Sequence, residues 1–238
     1  MIVLVGVGHV FEIQENLKVE IVNAKPDVVC VELDAQRAQA LLDAERRKQS
    51  EKSTARERTE VPFIYNALAM MQQNLANKFD TTPGMEMLCA INVAKDANAR
   101  IEYIDVDAVT IASRIWREMS FVERAKFIAS LFFGFFVTRS SVQKSIDEFM
   151  NDEERVIQEL SREFPTIKRI LIDERNEYMA WRIVQTALEH ERVVCVLGDG
   201  HINGVSGILS QHGVSHQIIR LRQLLSKTNS EYTCTWAW

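Results

Sequence analysis

Short runs of apolar, mostly β-branched residues alternate along this chain with longer stretches whose apolar positions recur three and four apart. The first pattern predicts buried strands and the second amphipathic helices. Strands are predicted at 2–6, 28–33, 101–105, 193–198 and 215–221. A helix is predicted over 12–24, with Ile13, Leu17, Val19, Ile21 and Val22 on its apolar side, and Pro26-Asp27 ends it. Another covers 35–48, with Asp34 as its N-cap. Residues 44–60, rich in Glu, Arg, Lys, Ser and Thr, read as a solvated helix end or a mobile loop. Helices follow over 62–78 and 83–98, the latter with Pro83 in its first turn. Residues 107–117, 120–137 and 140–162 read as three more, and Pro165 opens a long helix to about 190. A short helix near 202–212 separates the last two strands, and the tail 231–238 carries no clear signal.

This alternation predicts an α/β fold, with a mostly parallel central sheet flanked by helices. The block at about 107–190 contains helices only. We therefore read 1–238 as one domain with a large helical insertion between the third and fourth strands, suited to a lid or a dimer arm.

Two strands share a design. Ile2-Val3-Leu4-Val5-Gly6-Val7-Gly8-His9 stands near the start, and Val193-Val194-Cys195-Val196-Leu197-Gly198-Asp199-Gly200-His201 near the end. Each apolar run enters Gly-x-Gly-His, where glycines permit a sharp turn and close backbone approach. His9 and His201 are thereby delivered just past the carboxyl ends of core strands, the edge where open α/β sheets bind ligands. A single histidine after a strand usually caps or hydrogen-bonds; a matched pair among five histidines points to a site. Neither copy has the third glycine of a dinucleotide fingerprint or the Lys-Ser/Thr of a P-loop.

Other charged residues gather at predicted strand ends. Glu32 lies between apolar Val31 and Leu33, and a buried carboxylate needs a partner. It reads as a metal ligand or a general base beside His9, against a salt bridge from Glu32 or Asp34 to Arg37. Glu86 sits in a first helical turn, where the helix dipole favours an acid. Asp105 and Asp107 close the third strand, positioned to line a site or to cap a helix, with Arg114 on the helix that follows. Arg175 and Tyr178 are three apart on one helical face, so both could reach a site. His190, His212 and His216 have no matched context and read as structural. Two imidazoles and a carboxylate (His9, His201 and Glu32) suit Zn, Mn, Co or Fe, with positions left for water.

Composition narrows the partners. A net charge of −5 argues against a nucleic-acid partner. Four dispersed cysteines without a CxxC suit a reducing, cytoplasmic compartment. The apolar segment 127–137 is shorter than the roughly 20 residues a membrane span needs. It reads as a buried helix, a dimer interface or a membrane-facing helix. Phe132, Phe133, Phe135 and Phe136 point in at least two directions on a helix, so a homodimer over 120–160 is expected.

The paired Gly-x-x-His motifs (Gly6–His9 and Gly198–His201) resemble the signature of the TraB/PrgY family, related to the Tiki proteases. So do Glu32-Leu33-Asp34 with Arg37, Pro83-Gly84-x-Glu86-Met87, Asp105 and Asp107 with Arg114, and Glu174-Arg175 with Tyr178-Met179. The resemblance runs from residue 2 to about 220. It implies an α/β core akin to that of erythromycin esterase and the ChaN haem-binding proteins. It also implies metal-dependent hydrolysis of a peptide or another acyl bond, or non-catalytic sequestering of a peptide or a cofactor. Under the hydrolytic reading His9, His201 and Glu32 hold a divalent Mn, Co or Zn ion, and Arg37, Arg114 or Arg175 stabilises the oxyanion. Many relatives carry a membrane region after this domain, so membrane association through a region outside this chain stands as the second expectation for its location.

Overall fold

The computed structural model describes residues 1–8, 13–50, 84–134 and 153–226. Among these, β1 (Ile2–Val7), β2 (Val28–Val31), β3 (Arg100–Tyr103), β4 (Val193–Gly198) and β5 (His216–Ile219) form one sheet in the order β3-β2-β4-β1-β5. Every pair is parallel. Helix α1 (Gln14–Ala24) links β1 to β2, while α2 (Ala35–Ser50) and α3 (Met85–Asp96) lie between β2 and β3. Then come α4 (Ala108–Glu118), α5 (Phe121–Gly134), α6 (Glu153–Glu163), α7 (Pro165–Lys168) and α8 (Glu174–Glu189), all between β3 and β4. Helix α9 (Asp199–Gln211) joins β4 to β5. The expected α/β architecture is present, with its helical stretch between the third and fourth strands.

The strands read as unbroken apolar runs because both sheet faces are covered. Val3, Val5, Val29, Val31, Val194 and Val196 pack on α1 and α3 through Leu17, Ile21, Met87 and Ile91. Ile2, Leu4, Cys30, Cys195 and Leu197 pack on α8 and α9 through Met179, Ile183, Ile202 and Val205. A separate cluster of Ile111, Ile115, Met119, Phe127 and Ile170 gives the helical stretch a small core of its own.

The strands that lead into the two Gly-x-Gly-His cassettes lie side by side. Gly6 pairs with Leu197 and Val7 with Gly198, so their carboxyl ends share one edge. The second cassette turns straight into helix: α9 starts at Asp199 with Gly198 as its cap, earlier than the 202–212 expected. Gly6 is required by this junction, since a Cβ there would come 2.0 Å from Asp199 Oδ1. That carboxylate accepts from Leu221 N–H (2.9 Å) and Arg220 Nη2 (2.7 Å), which fastens the segment after β5 to the start of α9.

Other expectations shift. Pro165 does open a helix, but a π-helical turn at Arg169–Asp173 interrupts it before α8. The helix expected at 12–24 starts at Gln14, and the one expected at 140–162 is described only from Glu153, from where it runs to Glu163. The helix expected over 62–78, residue His9, and the side chains of Phe132, Phe133, Phe135 and Phe136 lie outside the described residues, and with them the dimer expectation. No helix among the described residues is long and apolar enough to cross a membrane.

Helix α5 begins in a capping box. Ser120 N–H donates to Glu123 Oε2 (2.9 Å), and Glu123 N–H donates to Ser120 Oγ (3.2 Å). The Glu123 carboxylate also accepts from Thr166 N–H (2.9 Å) and Thr166 Oγ1 (3.0 Å), tying α5 to α7. Burial opposes its charge, but the hydrogen bonds from Ser120 and Thr166 outweigh burial and lower its pKa. Its stabilisation is therefore present above the usual glutamate value and lost as pH falls through the lower folded value. Glu123→Gln is expected to cost about 1 kcal/mol at neutral pH. Urea unfolding should show that gap closing as pH falls below the usual glutamate range. A gap unchanged across that range would contradict this assignment.

Candidate functional site

Four ionisable or imidazole side chains from four elements meet at the carboxyl edge of the sheet. Glu32 follows β2, Asp105 follows β3, Arg175 lies in the first turn of α8, and His201 in the first turn of α9. All four are buried.

Arg175 is at the centre. Its Nε donates to Asp105 Oδ1 (2.9 Å) and its Nη2 to Asp105 Oδ2 (2.8 Å), a bidentate fork. Nη2 also donates to Glu32 Oε1 (2.5 Å). Nη1 donates to the Leu171 carbonyl (3.0 Å), inside the π turn, and lies 3.1 Å from His201 Nε2. Burial opposes the guanidinium charge, but Glu32 and Asp105 more than offset this, and its pKa is raised.

The network assigns the His201 tautomer. A guanidinium has no acceptor, so His201 Nε2 must accept from Arg175. The proton is then on Nδ1, which donates to Asn176 Oδ1 (2.7 Å). Asn176 in turn is pressed against α9. A Cβ on Gly204 would come 2.1 Å from Asn176 Nδ2, so only glycine allows this approach. Glu32 is held at its other oxygen, where Oε2 accepts from Gly198 N–H (2.6 Å).

The expected site residues separate into groups. Glu32, His201 and Arg175 come together. Arg37 joins them through Asp105: its Nη1 donates to Asp105 Oδ2 (3.1 Å). Its side chain therefore pairs with Asp105 and not with Glu32 or Asp34 as the sequence suggested. Asp34 caps instead, accepting from Arg37 N–H (2.8 Å) and from Ala108 N–H (3.3 Å). Asp107 caps α4 through Thr110 N–H (2.7 Å). Arg114 is not brought to the cluster; it pairs with Glu118 and Glu174, which Arg169 also bridges. Tyr178 is not brought there either, since its hydroxyl accepts from Arg182 (3.2 Å) and its ring tilts against Trp181. His212 and His216 bond to their own surroundings, Ile208 and Ser206 among them.

Asn176 was missed. A polar residue beside a buried arginine, opposite a helical glycine, was the available signal.

A divalent ion does not fit the described residues as they stand. His201 Nε2 and Glu32 Oε1 are 3.4 Å apart, but the single lone pair of His201 Nε2 is already taken by Arg175, which also bonds Glu32 Oε1. No group of three His, Cys, Asp or Glu able to hold an ion occurs among the described residues, and His9 lies outside them.

The profile of the TraB/PrgY/gumN family matches residues 1–213. An uncharacterized protein of Methanocaldococcus jannaschii, MJ1365, is 32% identical over 211 residues, covering 86% of this chain and 52% of that protein. The chain thus spans about half the length of the curated relative it matches.

Proposed function

This chain belongs to the TraB/PrgY/gumN family, and on that premise we propose that it hydrolyses a peptide or another acyl bond at the Glu32–His201 cluster. The observation that carries the reading is the burial of Glu32, Asp105, Arg175 and His201 together. Buried ion pairs return little net stability, since desolvation offsets their attraction. Buried charges gathered at the ligand-binding edge of a parallel sheet therefore favour chemistry over folding as their purpose.

In this reading Glu32 is the general base. Its carboxylate takes a proton from water as the water oxygen attacks the acyl carbon, and the proton passes to the leaving amine or alcohol as the C–N or C–O bond breaks. Two interactions aim Glu32: Gly198 N–H at Oε2 and Arg175 at Oε1. The five N–H donors of Arg175 are all engaged, so it holds the cluster together. Arg37 suits the oxyanion better. Only its Nη1 is engaged, by Asp105, among the described residues, and its side chain is 33% exposed.

A peptide-library digest read by mass spectrometry tests this. Wild type should cleave, and Glu32→Gln and His201→Ala should each slow cleavage by about 100-fold or more. Binding without cleavage would replace the hydrolase with a sequestering protein. Cleavage untouched by either substitution would place the chemistry elsewhere.

A further inference from the structure

We propose that the guanidinium of Arg175 is the resident cation of this site, filling the place where Glu32, Asp105 and His201 would otherwise hold a divalent ion. The cage matches it donor for donor. A guanidinium carries five N–H groups in a fixed plane. Here they meet five acceptors: Asp105 Oδ1 and Oδ2, Glu32 Oε1, His201 Nε2 and the Leu171 carbonyl. The separations run from 2.5 to 3.1 Å, which are hydrogen-bond distances. A transition-metal ion would need its donors at about 2.0–2.3 Å, converging on a point and not spread around a plane.

Charge balance gives the same answer independently. Two carboxylates, Glu32 and Asp105, face two guanidinium groups, Arg175 and Arg37. His201 accepts from Arg175 and is therefore neutral in this arrangement. Counted over Glu32, Asp105, Arg175 and Arg37 the charges cancel; with buried Asp34 beside Arg37 the sum is one negative charge, and an added dication would still leave an excess of positive charge at this edge. Arginine keeps its charge at every pH at which the protein folds, so the cation cannot be lost to acid or to a chelator.

The π turn contributes directly. Leu171 lies inside Arg169–Asp173, and its carbonyl receives Nη1. Of the five acceptors this is the only main-chain one, and a metal-binding arrangement of carboxylates and imidazoles has no need of it. Arg175 is accordingly a positioning residue: it sets Glu32 and His201 at a fixed separation and touches no substrate itself.

Two measurements test this, and neither depends on catalysis, so the inference can fail while the hydrolase reading survives, or the reverse. In the first, wild type is titrated with Mn²⁺ alone and Zn²⁺ alone, after EDTA treatment, by calorimetry. No stoichiometric site that depends on His201 is expected, and EDTA should leave the melting temperature unchanged. A one-to-one site that disappears in His201→Ala would overturn the proposal. In the second, Arg175→Ala is examined by thermal unfolding. Its melting temperature should fall, and millimolar guanidinium or ethylguanidinium should recover part of the loss, while equal NaCl or urea should not. Equal recovery by NaCl would show that the cage is not shaped for a guanidinium and would also overturn it. If Arg175→Ala does not fold, Arg175→Lys replaces it. Lysine keeps the charge without the planar fork, so a melting temperature equal to wild type would count against the proposal and a lower one would support it.

Discussion

Glu32→Ala is expected to lower stability by about 3–5 kcal/mol, the range for a buried ion pair that loses one partner. The substitution leaves Arg175 Nη2 and Gly198 N–H facing a void where a carboxylate had accepted from both. Gln does not repair the loss. Both Glu32 oxygens accept hydrogen bonds, and an amide offers one acceptor and one donor, so its NH₂ must face either the guanidinium or the Gly198 N–H. Glu32→Gln should therefore cost roughly 1–3 kcal/mol as well as activity. Urea unfolding of the two variants beside wild type measures both. If Glu32→Ala costs under about 1 kcal/mol, the carboxylate is solvated in the protein, and the buried cluster described above is wrong.

Gly204→Ala should damage the site without touching any charged group. Its Cβ would lie 2.1 Å from Asn176 Nδ2 and 2.8 Å from Asn176 Cγ. Either α8 and α9 separate or Asn176 leaves its place. The first is overpacking, at about 1–3 kcal/mol. The second frees His201 Nδ1 from the acceptor that sets its ring and tautomer. Activity should fall on the order of 100-fold, as expected when a reacting group is misplaced by about an ångström. A double variant separates the two costs. Removing Asn176 as well (Asn176→Ala with Gly204→Ala) relieves the clash and should return much of the stability, while activity stays low. Recovery of both would make Asn176 a spacer and not the residue that orients His201.

Much of this arrangement was legible in the chain. Strands buried on both faces leave unbroken apolar runs, so β1, β2 and β4 were read close to their observed bounds. Glu32 and Asp105 stood out as charges at the ends of such runs, and the matched glycine cassettes pointed to His201. What the sequence could not supply was the partner of each charge. Arg37 is three residues from Asp34 and five from Glu32, yet its guanidinium pairs with Asp105, 68 residues away. Local spacing favours the near acids; the sheet order, which sets β3 beside β2, brings the distant one into reach. Periodicity likewise joined Arg175 and Tyr178 on one face, but helix packing turned Tyr178 toward Arg182. The π turn left no compositional mark, because its residues, Arg-Ile-Leu-Ile-Asp, suit an ordinary helix equally well.

The order of strands in the sheet has a consequence for synthesis. β1 is made first, and both of its neighbours, β4 and β5, are made last. Until Val193 has left the ribosome, β1 has no partner on either side, and its six apolar or small residues remain an open edge. Non-local pairing of this kind is slow and exposes strands that aggregate. Glu32 and Asp105 are also made well before Arg175 arrives to neutralise them. A nascent or proteolysed chain ending before Val193 therefore has an unpaired first strand and lacks His201, so the buried cluster is incomplete. The cluster of Glu32, Asp105, Arg175 and His201 is complete only once residues 193–201 have joined the sheet.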